Sequence, residues 1–122
     1  MNPETLLLPA SALVVCLCAD WCGTCRDYQS RFAEMQAKFP QAQFRWIDVE
    51  DEADLLHPID VEDFPTLLLV VGGEPRFFGA VTPQPELLER LIRSKIEDPA
   101  AAALANQLVA DLARRIQGKK PA

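Results

Sequence analysis

Basic residues are scarce in this chain of 122 residues, which has 12 Lys and Arg against 18 Asp and Glu and a formal net charge of −6. Phosphate binding needs a basic surface, so the composition argues against a nucleic-acid partner. The chain also has only one histidine and four cysteines, too few cysteines for a small scaffold held together by disulfides. No long block of like charge occurs, and 49% of the residues are hydrophobic. These features exclude a disordered chain and fit one folded domain.

Long apolar segments are missing as well. Residues 6–19 are apolar, but a membrane helix needs about 20 such residues. A signal peptide would carry a basic residue before its apolar run, whereas the first basic residue here is Arg26, and Pro9 and Ser11 interrupt the run. We therefore expect a complete, soluble chain in the cytoplasm, with no membrane partner.

The first half of the chain has the pattern of alternating strands and helices. Ala12–Cys18 is a continuous apolar run, which is typical of a strand buried on both faces. Proline and glycine then help to place the boundaries of the elements that follow. The pattern predicts a helix over about 24–38, a strand over 43–49, a short helix within 50–57, a strand at Thr66–Val71 and, after a Gly-Gly turn, a returning strand over 76–80.

Two further helices are predicted in the second half. One starts at Thr82 and Pro83, because a threonine hydroxyl can cap a helix and proline suits the first turn. The other covers about 99–117, with Asp98 and Pro99 as its start signal. Its apolar residues recur at intervals of four: Leu104, Leu108, Leu112 and Ile116. This stripe has two interpretations, docking onto its own domain or a surface for a dimer or partner, and we favour self-docking.

This order of elements predicts an α/β fold. The central sheet is mixed, with a parallel βαβ half and an antiparallel ββα half, and helices flank it on both faces. Residues 1–122 form a single domain in this interpretation, with a core of about 12–96 and an additional C-terminal helix at about 99–117.

Two cysteines stand where the first strand gives way to the first helix. Cys22 precedes the helix and Cys25 lies in its first turn. Free amides and the positive end of the helix dipole favour a thiolate at Cys22, and a thiolate attacks disulfides. The second thiol is close enough to resolve the mixed disulfide, so the pair can alternate between dithiol and disulfide.

These cysteines belong to a wider set of motifs. They are Ala19-Asp20-Trp21-Cys22-Gly23-Thr24-Cys25-Arg26, Ile47-Asp48-Val49, Phe64-Pro65-Thr66-Leu67-Leu68-Leu69, Gly73-Glu74 and Gly79. With these motifs, residues 12–96 resemble the thioredoxin superfamily. The resemblance implies a thioredoxin-like fold with a shortened N-terminus. It also implies an enzyme that reduces protein disulfides and takes part in cell redox homeostasis.

The resemblance assigns a role to each matching residue. Cys22 resembles the attacking cysteine and Cys25 the resolving one, while Pro65 matches a cis-proline packed against them. Phe64 would offer its backbone to an extended client segment. Thr24 replaces the family's proline between the cysteines, a position that tunes the redox poise. The implied substrate-binding set is Trp21, Gly23, Thr24, Phe64, Pro65 and Gly79.

One departure from the family concerns proton transfer. Thioredoxins carry a buried aspartate where this chain has Cys16, and their nearby lysine is absent, with Phe44 and Arg45 in that region. A buried thiol is a poor base, so we expect slower resolution or another proton acceptor. Cys16 is a candidate supporting residue for the reaction, but the simpler interpretation makes Cys16 and Cys18 packed free thiols.

Other sites are less well supported. Four cysteines could hold zinc, but Cys16 and Cys18 share one face of a buried strand, so we expect no metal site. The acidic set at 48–54 lacks the glycine and spacing of a calcium loop and is interpreted as a solvated surface. His57 is interpreted as a solvated loop residue.

The sequence thus predicts a protein-disulfide reductase that uses Cys22 and Cys25 and needs no cofactor beyond their disulfide. Its partners would be protein disulfides and a thioredoxin reductase or another dithiol donor. We expect a monomer, or a weak dimer through the C-terminal helix. Two alternatives stay open: a binding or redox-switch module on the same fold, and a disulfide oxidant or isomerase.

Overall fold

Strands and helices alternate along the chain in the computed structural model, which describes residues 12–97 and 102–118. The order is β1 (Ala12–Cys18), α1 (Gly23–Lys38), β2 (Gln43–Asp48), α2 (Ala53–Leu56), β3 (Thr66–Val71), β4 (Glu74–Ala80), α3 (Pro85–Ile92), a π-helical segment (Arg93–Glu97) and α4 (Gln107–Gly118). None of the helices in these ranges has the length and apolar character needed to cross a membrane.

The four strands of the described chain form one mixed sheet in the order β2-β1-β3-β4. Strand β1 runs parallel to β2, with Cys16 opposite Trp46, and antiparallel to β3, with Cys16 opposite Leu67. Strand β4 returns antiparallel to β3. The predicted mixed sheet is therefore confirmed, and β1 is buried along its whole length, as its continuous apolar sequence indicated.

Helices cover both faces of this sheet. The first core cluster joins alternate residues of β1 and β3 to α1 and α3. The second joins the intervening strand residues to α2 and α4. Because side chains alternate across a strand, even-numbered residues of β1 face α1 and odd-numbered ones face α4. This alternation places Cys16 and Cys18 on the α1 side, in the first cluster.

Helix α4 docks onto its own domain, as favoured from the sequence, but through a different stripe. Its buried residues are Val109, Leu112, Ala113 and Ile116, whereas the side chain of Leu108 is 51% exposed. The helix begins later than predicted, at Gln107, where the Asn106 side-chain oxygen accepts a hydrogen bond of 3.2 Å from the Val109 N–H. The proposed start at Asp98 and Pro99 lies outside the described residues.

The predicted start of α3 is wrong. The helix begins at Pro85 and has Gln84 as its N-cap, which makes no side-chain capping bond. The Thr82 hydroxyl instead donates to Gln84 Oε1 at 3.3 Å. Two Thr/Gln–Pro pairs follow one another in this segment, and the second pair supplies the first helical turn. The rule that proline occupies that turn therefore held at a different proline.

Candidate functional site

The candidate site lies where β1 ends and α1 begins. The Cys22 N–H donates to the Ala19 carbonyl at 3.0 Å, and the Cys22 carbonyl accepts from the Arg26 N–H at 3.1 Å. Cys22 is the N-cap of α1, with extended backbone angles. This tight turn leaves Trp21 exposed and Cys22 half-buried, while Cys25 is buried in the first helical turn. Cys22 is therefore the more accessible sulfur of the predicted pair.

The disulfide present in the structure joins Cys18 to Cys25, with the two Cα atoms 5.8 Å apart. Cys22 and Cys16 carry free thiols. The interpretation of Cys18 as a packed free thiol is wrong, because the last residue of β1 lies directly beneath the first turn of α1. Exchange between Cys22 and Cys25 stays a prediction.

Cys16 lies one strand repeat deeper than Cys18, and its side chain is fully buried. The two sulfur atoms are 3.7 Å apart. A disulfide sulfur carries no proton, so the Cys16 thiol is the donor in this contact. Desolvation raises the pKa of Cys16 to about 12. Cys16 is thus held as a neutral thiol and does not replace a carboxylate base.

Asp48, the last residue of β2, holds the loop before Cys22 in place. Its Oδ2 accepts from the Asp20 N–H at 2.9 Å, and its Oδ1 accepts from the N–H groups of Glu50 at 2.8 Å and Asp51 at 3.1 Å. Desolvation acts to raise the pKa of Asp48, but these backbone hydrogen bonds outweigh it and lower the pKa. Asp48 thus also holds the loop within the acidic set at 48–54, whose members are exposed or half-exposed.

An acidic group surrounds this carboxylate. Carboxylate oxygens of Asp20, Asp48 and Asp51 lie within 4.8 Å of one another. Repulsion by Asp48, followed by desolvation and a side-chain hydrogen bond with it, raises the pKa of Asp20. Both oxygens of Asp48 already accept backbone hydrogen bonds. These bonds explain why the Asp48 carboxylate lies close to Asp20 and Asp51.

Two motifs that are distant in sequence meet beside the cysteines. The rings of Trp21 and Phe64 pack edge to face with their centroids 5.6 Å apart, and the Trp21 indole N–H donates to a carboxylate oxygen of Glu50. Cys22 and Phe64 both pack against the first core cluster. The structure thus brings the predicted residues Trp21, Cys22 and Phe64 to one surface.

Pro65 is buried next to this surface, at the entrance to β3. The Phe64–Pro65 peptide bond is cis, and so is the His57–Pro58 bond, which the sequence analysis did not anticipate. The Pro65 carbonyl accepts from the Val81 N–H at 3.0 Å, which ties the start of β3 to the end of β4.

The remaining predicted residues lie at different places around the pair. Gly23 is the first residue of α1, where an added Cβ would only touch the Arg26 side chain at 3.7 Å. Thr24 is exposed and lines a shallow cavity with Arg26 and Pro83. Gly79 lines a separate cavity with Phe78 and the acidic loop 60–63. The structure does not place Gly79 and Thr24 in one cavity.

Sequence reasoning missed Cys18 and Asp48. For Cys18 a signal was available, since it shares a strand face with Cys16 and that face is covered by the helix that carries Cys25. For Asp48 the signal was its place at the end of a strand parallel to β1, because the carboxyl ends of parallel strands meet at one edge of a sheet.

The amino-acid sequence matches known proteins over much of its length. The family model described as Thioredoxin matches residues 3–93. Thioredoxin H2-1 of Oryza sativa subsp. japonica is 32% identical over 90 residues, which cover 72% of this chain and 65% of that protein. Thioredoxin H2-2 of the same plant is 35% identical over 66 residues, which cover 54% of this chain and 49% of that protein. The chain thus spans between about half and about two-thirds of the length of these two relatives.

The fold of the chain is similar to that of a solved structure. Mitochondrial thioredoxin 3 from Saccharomyces cerevisiae, in its oxidised form, superposes with a TM-score of 0.62 at 26% sequence identity, and the match covers 74% of this chain and 84% of that one. The mixed sheet and its flanking helices are therefore an arrangement that also occurs in a solved structure.

Proposed function

Because this chain belongs to the thioredoxin family, we propose that it is a thiol–disulfide oxidoreductase that reduces protein disulfides with Cys22 and Cys25. The observation that carries this proposal is the position of the two sulfurs. Cys22 is the half-buried N-cap of the 16-residue helix α1, and Cys25 is buried one turn further on. The free N–H groups at a helix N-terminus stabilise negative charge, which suits an attacking thiolate.

The reaction has two exchange steps. The Cys22 thiolate attacks one sulfur of a client disulfide, forms a mixed disulfide and releases the first client sulfur as a thiolate. The Cys25 thiol then loses its proton and attacks the Cys22 sulfur, which forms the Cys22–Cys25 disulfide and releases the second client thiolate. Two electrons pass from the chain to the client. Since the structure has Cys25 bonded to Cys18, the cycle starts from the chain with that disulfide reduced.

Within residues 12–97 and 102–118, no buried carboxylate is present to act as a base in the second step. The residue at the corresponding place in β1 is Cys16, whose pKa desolvation raises to about 12, so it holds its proton at neutral pH. Water or a departing client thiolate then has to accept the Cys25 proton. We infer that resolution is slow compared with the attack by Cys22.

The client would dock on the surface formed by Trp21, Cys22 and Phe64, beside the buried Pro65. The exposed Trp21 ring, 64% accessible, offers an apolar platform beside Cys22, and the Phe64 backbone next to it can pair with an extended client segment. Acidic residues lie beside this surface in space or along the chain: Glu50 accepts a hydrogen bond from Trp21, Asp20 precedes Trp21, and Asp60, Glu62 and Asp63 lie in the loop before Phe64. Clients with basic residues near their disulfides should therefore bind best.

We further propose that a thioredoxin reductase or another dithiol donor recharges the chain in a reducing compartment, for which the cytoplasm is the expected place. The partly accessible Cys22 thiol supports recharging by an external donor, which can reach it from solvent. A monomer is also proposed, since α4 uses its apolar face on its own core.

The proposal is tested by the turbidity assay for insulin disulfide reduction with dithiothreitol as the electron donor. Wild type should accelerate the precipitation of insulin, and Cys22→Ser should reduce the precipitation rate to that given by dithiothreitol alone. An unfolding curve for each protein shows whether the variant is folded. The activity proposed here is wrong if folded wild type gives no more rate than folded Cys22→Ser.

The resolving role of Cys25 has its own test. Cys25→Ser keeps the attacking thiol but removes the resolving one, so mixed disulfides with clients should accumulate in a cell extract. Mass spectrometry should find them on Cys22, and Cys22→Ser/Cys25→Ser is the matched control that traps nothing. If both variants trap the same proteins, Cys22 is not the attacking residue.

A further inference from the structure

The sulfur atoms of three cysteines lie in a row beneath the attacking residue. Cys25 is bonded to Cys18, Cys18 contacts Cys16 at 3.7 Å, and all three side chains are at most 1% exposed. Only Cys22, the partly accessible member, has a free thiol at the surface. We propose that Cys18 is a third redox-active cysteine, which displaces Cys22 from Cys25 and holds the oxidised chain as a buried Cys18–Cys25 disulfide. This inference rests on the exchange chemistry proposed above.

The fold makes Cys25 available to two partners. Cys22 lies three positions before it at the helix N-terminus, and Cys18 lies at the end of the strand that the helix covers. The Cα atoms of Cys18 and Cys25 are 5.8 Å apart, within the usual range for disulfides of about 4.4–6.8 Å. Because the strand and the helix both pack into the first core cluster, the fold holds the end of β1 next to the first turn of α1.

The proposed step is an internal exchange that conserves electrons. The Cys18 thiol loses its proton, and its sulfur attacks Cys25 Sγ in the Cys22–Cys25 disulfide. The Cys18–Cys25 bond forms as the Cys22–Cys25 bond breaks, and Cys22 leaves as a thiolate that can take up the proton. One disulfide is present before and after, so no external oxidant or reductant takes part.

Local contacts favour the inner disulfide as the product. The Cys16 thiol donates to Cys18 Sγ, and the Ala19 N–H donates to Cys25 Sγ at 3.4 Å. The leaving Cys22 sulfur lies at the N-terminus of α1, on the accessible side of the site. The exchange therefore moves the disulfide away from solvent and returns the surface thiol to its reactive form.

A capture form of the protein follows from this exchange. With Cys25 bonded to Cys18, Cys22 can still attack a client disulfide, but Cys25 is not free to resolve the adduct. The inner disulfide thus converts a reductase into a protein that keeps its client bound until Cys25 is released.

Counting reactive thiols tests the inference directly. Reduced protein is oxidised with glutathione disulfide, and protein that carries a glutathione adduct is separated from the rest. The adduct-free protein is then titrated with Ellman's reagent without denaturant. Wild type should retain one reactive thiol, that of Cys22, and Cys18→Ala should retain none, because its Cys22 stays bonded to Cys25. Cys16→Ala removes the contact with Cys18 but keeps both bonding cysteines, so it should still retain one. Oxidised wild type without a reactive thiol would overturn the inference.

Peptide mapping of wild type gives the same answer without any variant. Trypsin leaves all four cysteines in one peptide, since the first basic residue is Arg26. A protease that cuts before aspartate separates Cys16 and Cys18 from Cys22 and Cys25 by cutting before Asp20. After alkylation at low pH, the inner disulfide should link the two peptides and leave Cys22 alkylated. Unlinked peptides, with Cys18 alkylated, count against it.

The insulin assay separates failure of this inference from failure of the proposed function. If the peptides are linked but wild type does not reduce insulin, the inference about Cys18 stands and the proposed reductase activity is wrong. If wild type reduces insulin but its oxidised peptides are never linked, the reductase activity stands and the inference about Cys18 is wrong.

Discussion

At the scale of single residues, Asp48 does more for the site than its position at a strand end suggests. One carboxylate accepts three backbone hydrogen bonds from the loop before Cys22 and the turn after β2. It therefore couples the two parallel strands at the edge where the site lies. Its charge is retained because the donors that surround it are the N–H groups of fixed backbone.

Replacing Asp48 with asparagine should destabilise the chain by about 2 kcal/mol at neutral pH, since hydrogen bonds to a charged acceptor contribute about that much. The pKa of Asp48 is lowered in the folded state. Its contribution is therefore complete above about pH 5 and is lost as the pH falls through the folded pKa. Urea unfolding between neutral and acidic pH should show the two proteins converging as the pH falls.

Asp20→Asn is the matched control for this prediction. The pKa of Asp20 is raised, chiefly by repulsion from Asp48, so its charge opposes folding above that pKa. Removing the charge should leave the stability at neutral pH unchanged or raise it slightly. Equal losses in Asp48→Asn and Asp20→Asn would show that the backbone hydrogen bonds are not the cause.

Tyr28 carries a second residue-scale prediction. Its side chain is 1% exposed, and within residues 12–97 and 102–118 its hydroxyl has no hydrogen-bond partner. A buried unpaired hydroxyl costs about 1–3 kcal/mol. Tyr28→Phe, which keeps the ring, should stabilise the protein by about 1 kcal/mol in urea unfolding. Tyr28→Leu loses the ring contact with Phe32 and should destabilise it. A loss of stability in Tyr28→Phe would mean that the hydroxyl has a partner.

The sequence indicated some of these residues and not others. Cys22, Cys25 and Pro65 were found because their spacing and neighbours form a local motif. The bond of Cys18 to Cys25 was missed because it depends on the distance between a strand and the helix above it, which no local motif encodes. The role of Asp48 likewise arises only when β2 is placed next to β1.

At the scale of elements, α4 completes the second face of the sheet. Its residues Leu112 and Ile116 are fully buried against that face, and two polar contacts hold the helix there. Arg45 Nη1 donates to the Ile116 carbonyl at 2.5 Å, and Arg115 Nε donates to the Leu55 carbonyl at 2.8 Å. The helix is therefore part of the core of this fold.

Truncating Leu112 to alanine should destabilise the protein by about 2–5 kcal/mol, the usual range for a buried leucine. The matched control on the same helix is Leu108→Ala, whose side chain is 51% exposed and which should change stability by less than about 0.5 kcal/mol. Urea unfolding measures both. Similar small losses for the two variants would show that α4 does not dock on the sheet.

The strands of the fold were more predictable than its helix ends. β1 and β3 are buried on both faces, so their apolar runs match their bounds. The start of α3 was misplaced because two residue–proline pairs, Thr82-Pro83 and Gln84-Pro85, follow one another there. The predicted start of α4 lies outside the described residues, but residues 102–106 are not helical. The buried stripe of α4 was misplaced because the sheet selects which side of the helix it covers.

At the scale of the whole molecule, we expect the net charge of −6 to affect which clients the proposed reductase acts on. Two peptides with one disulfide each, flanked by lysines or by glutamates, provide the test. Raising the salt concentration screens the surface charges, so kcat/KM for the lysine peptide should fall several-fold while that for the glutamate peptide rises. Identical salt profiles would contradict electrostatic selection of clients.

The docking of α4 has a consequence for how the protein is made. Leu13 and Val15 of β1 pack on the same side of the sheet as Leu112 and Ile116 of α4, yet they are synthesised almost a whole chain earlier. Until the ribosome has passed Ile116, the part of that apolar side that α4 covers stays exposed, while α2 and the loop after it pack on the same side. The growing chain thus presents an apolar surface late in its synthesis, which chaperones that bind exposed apolar segments would meet.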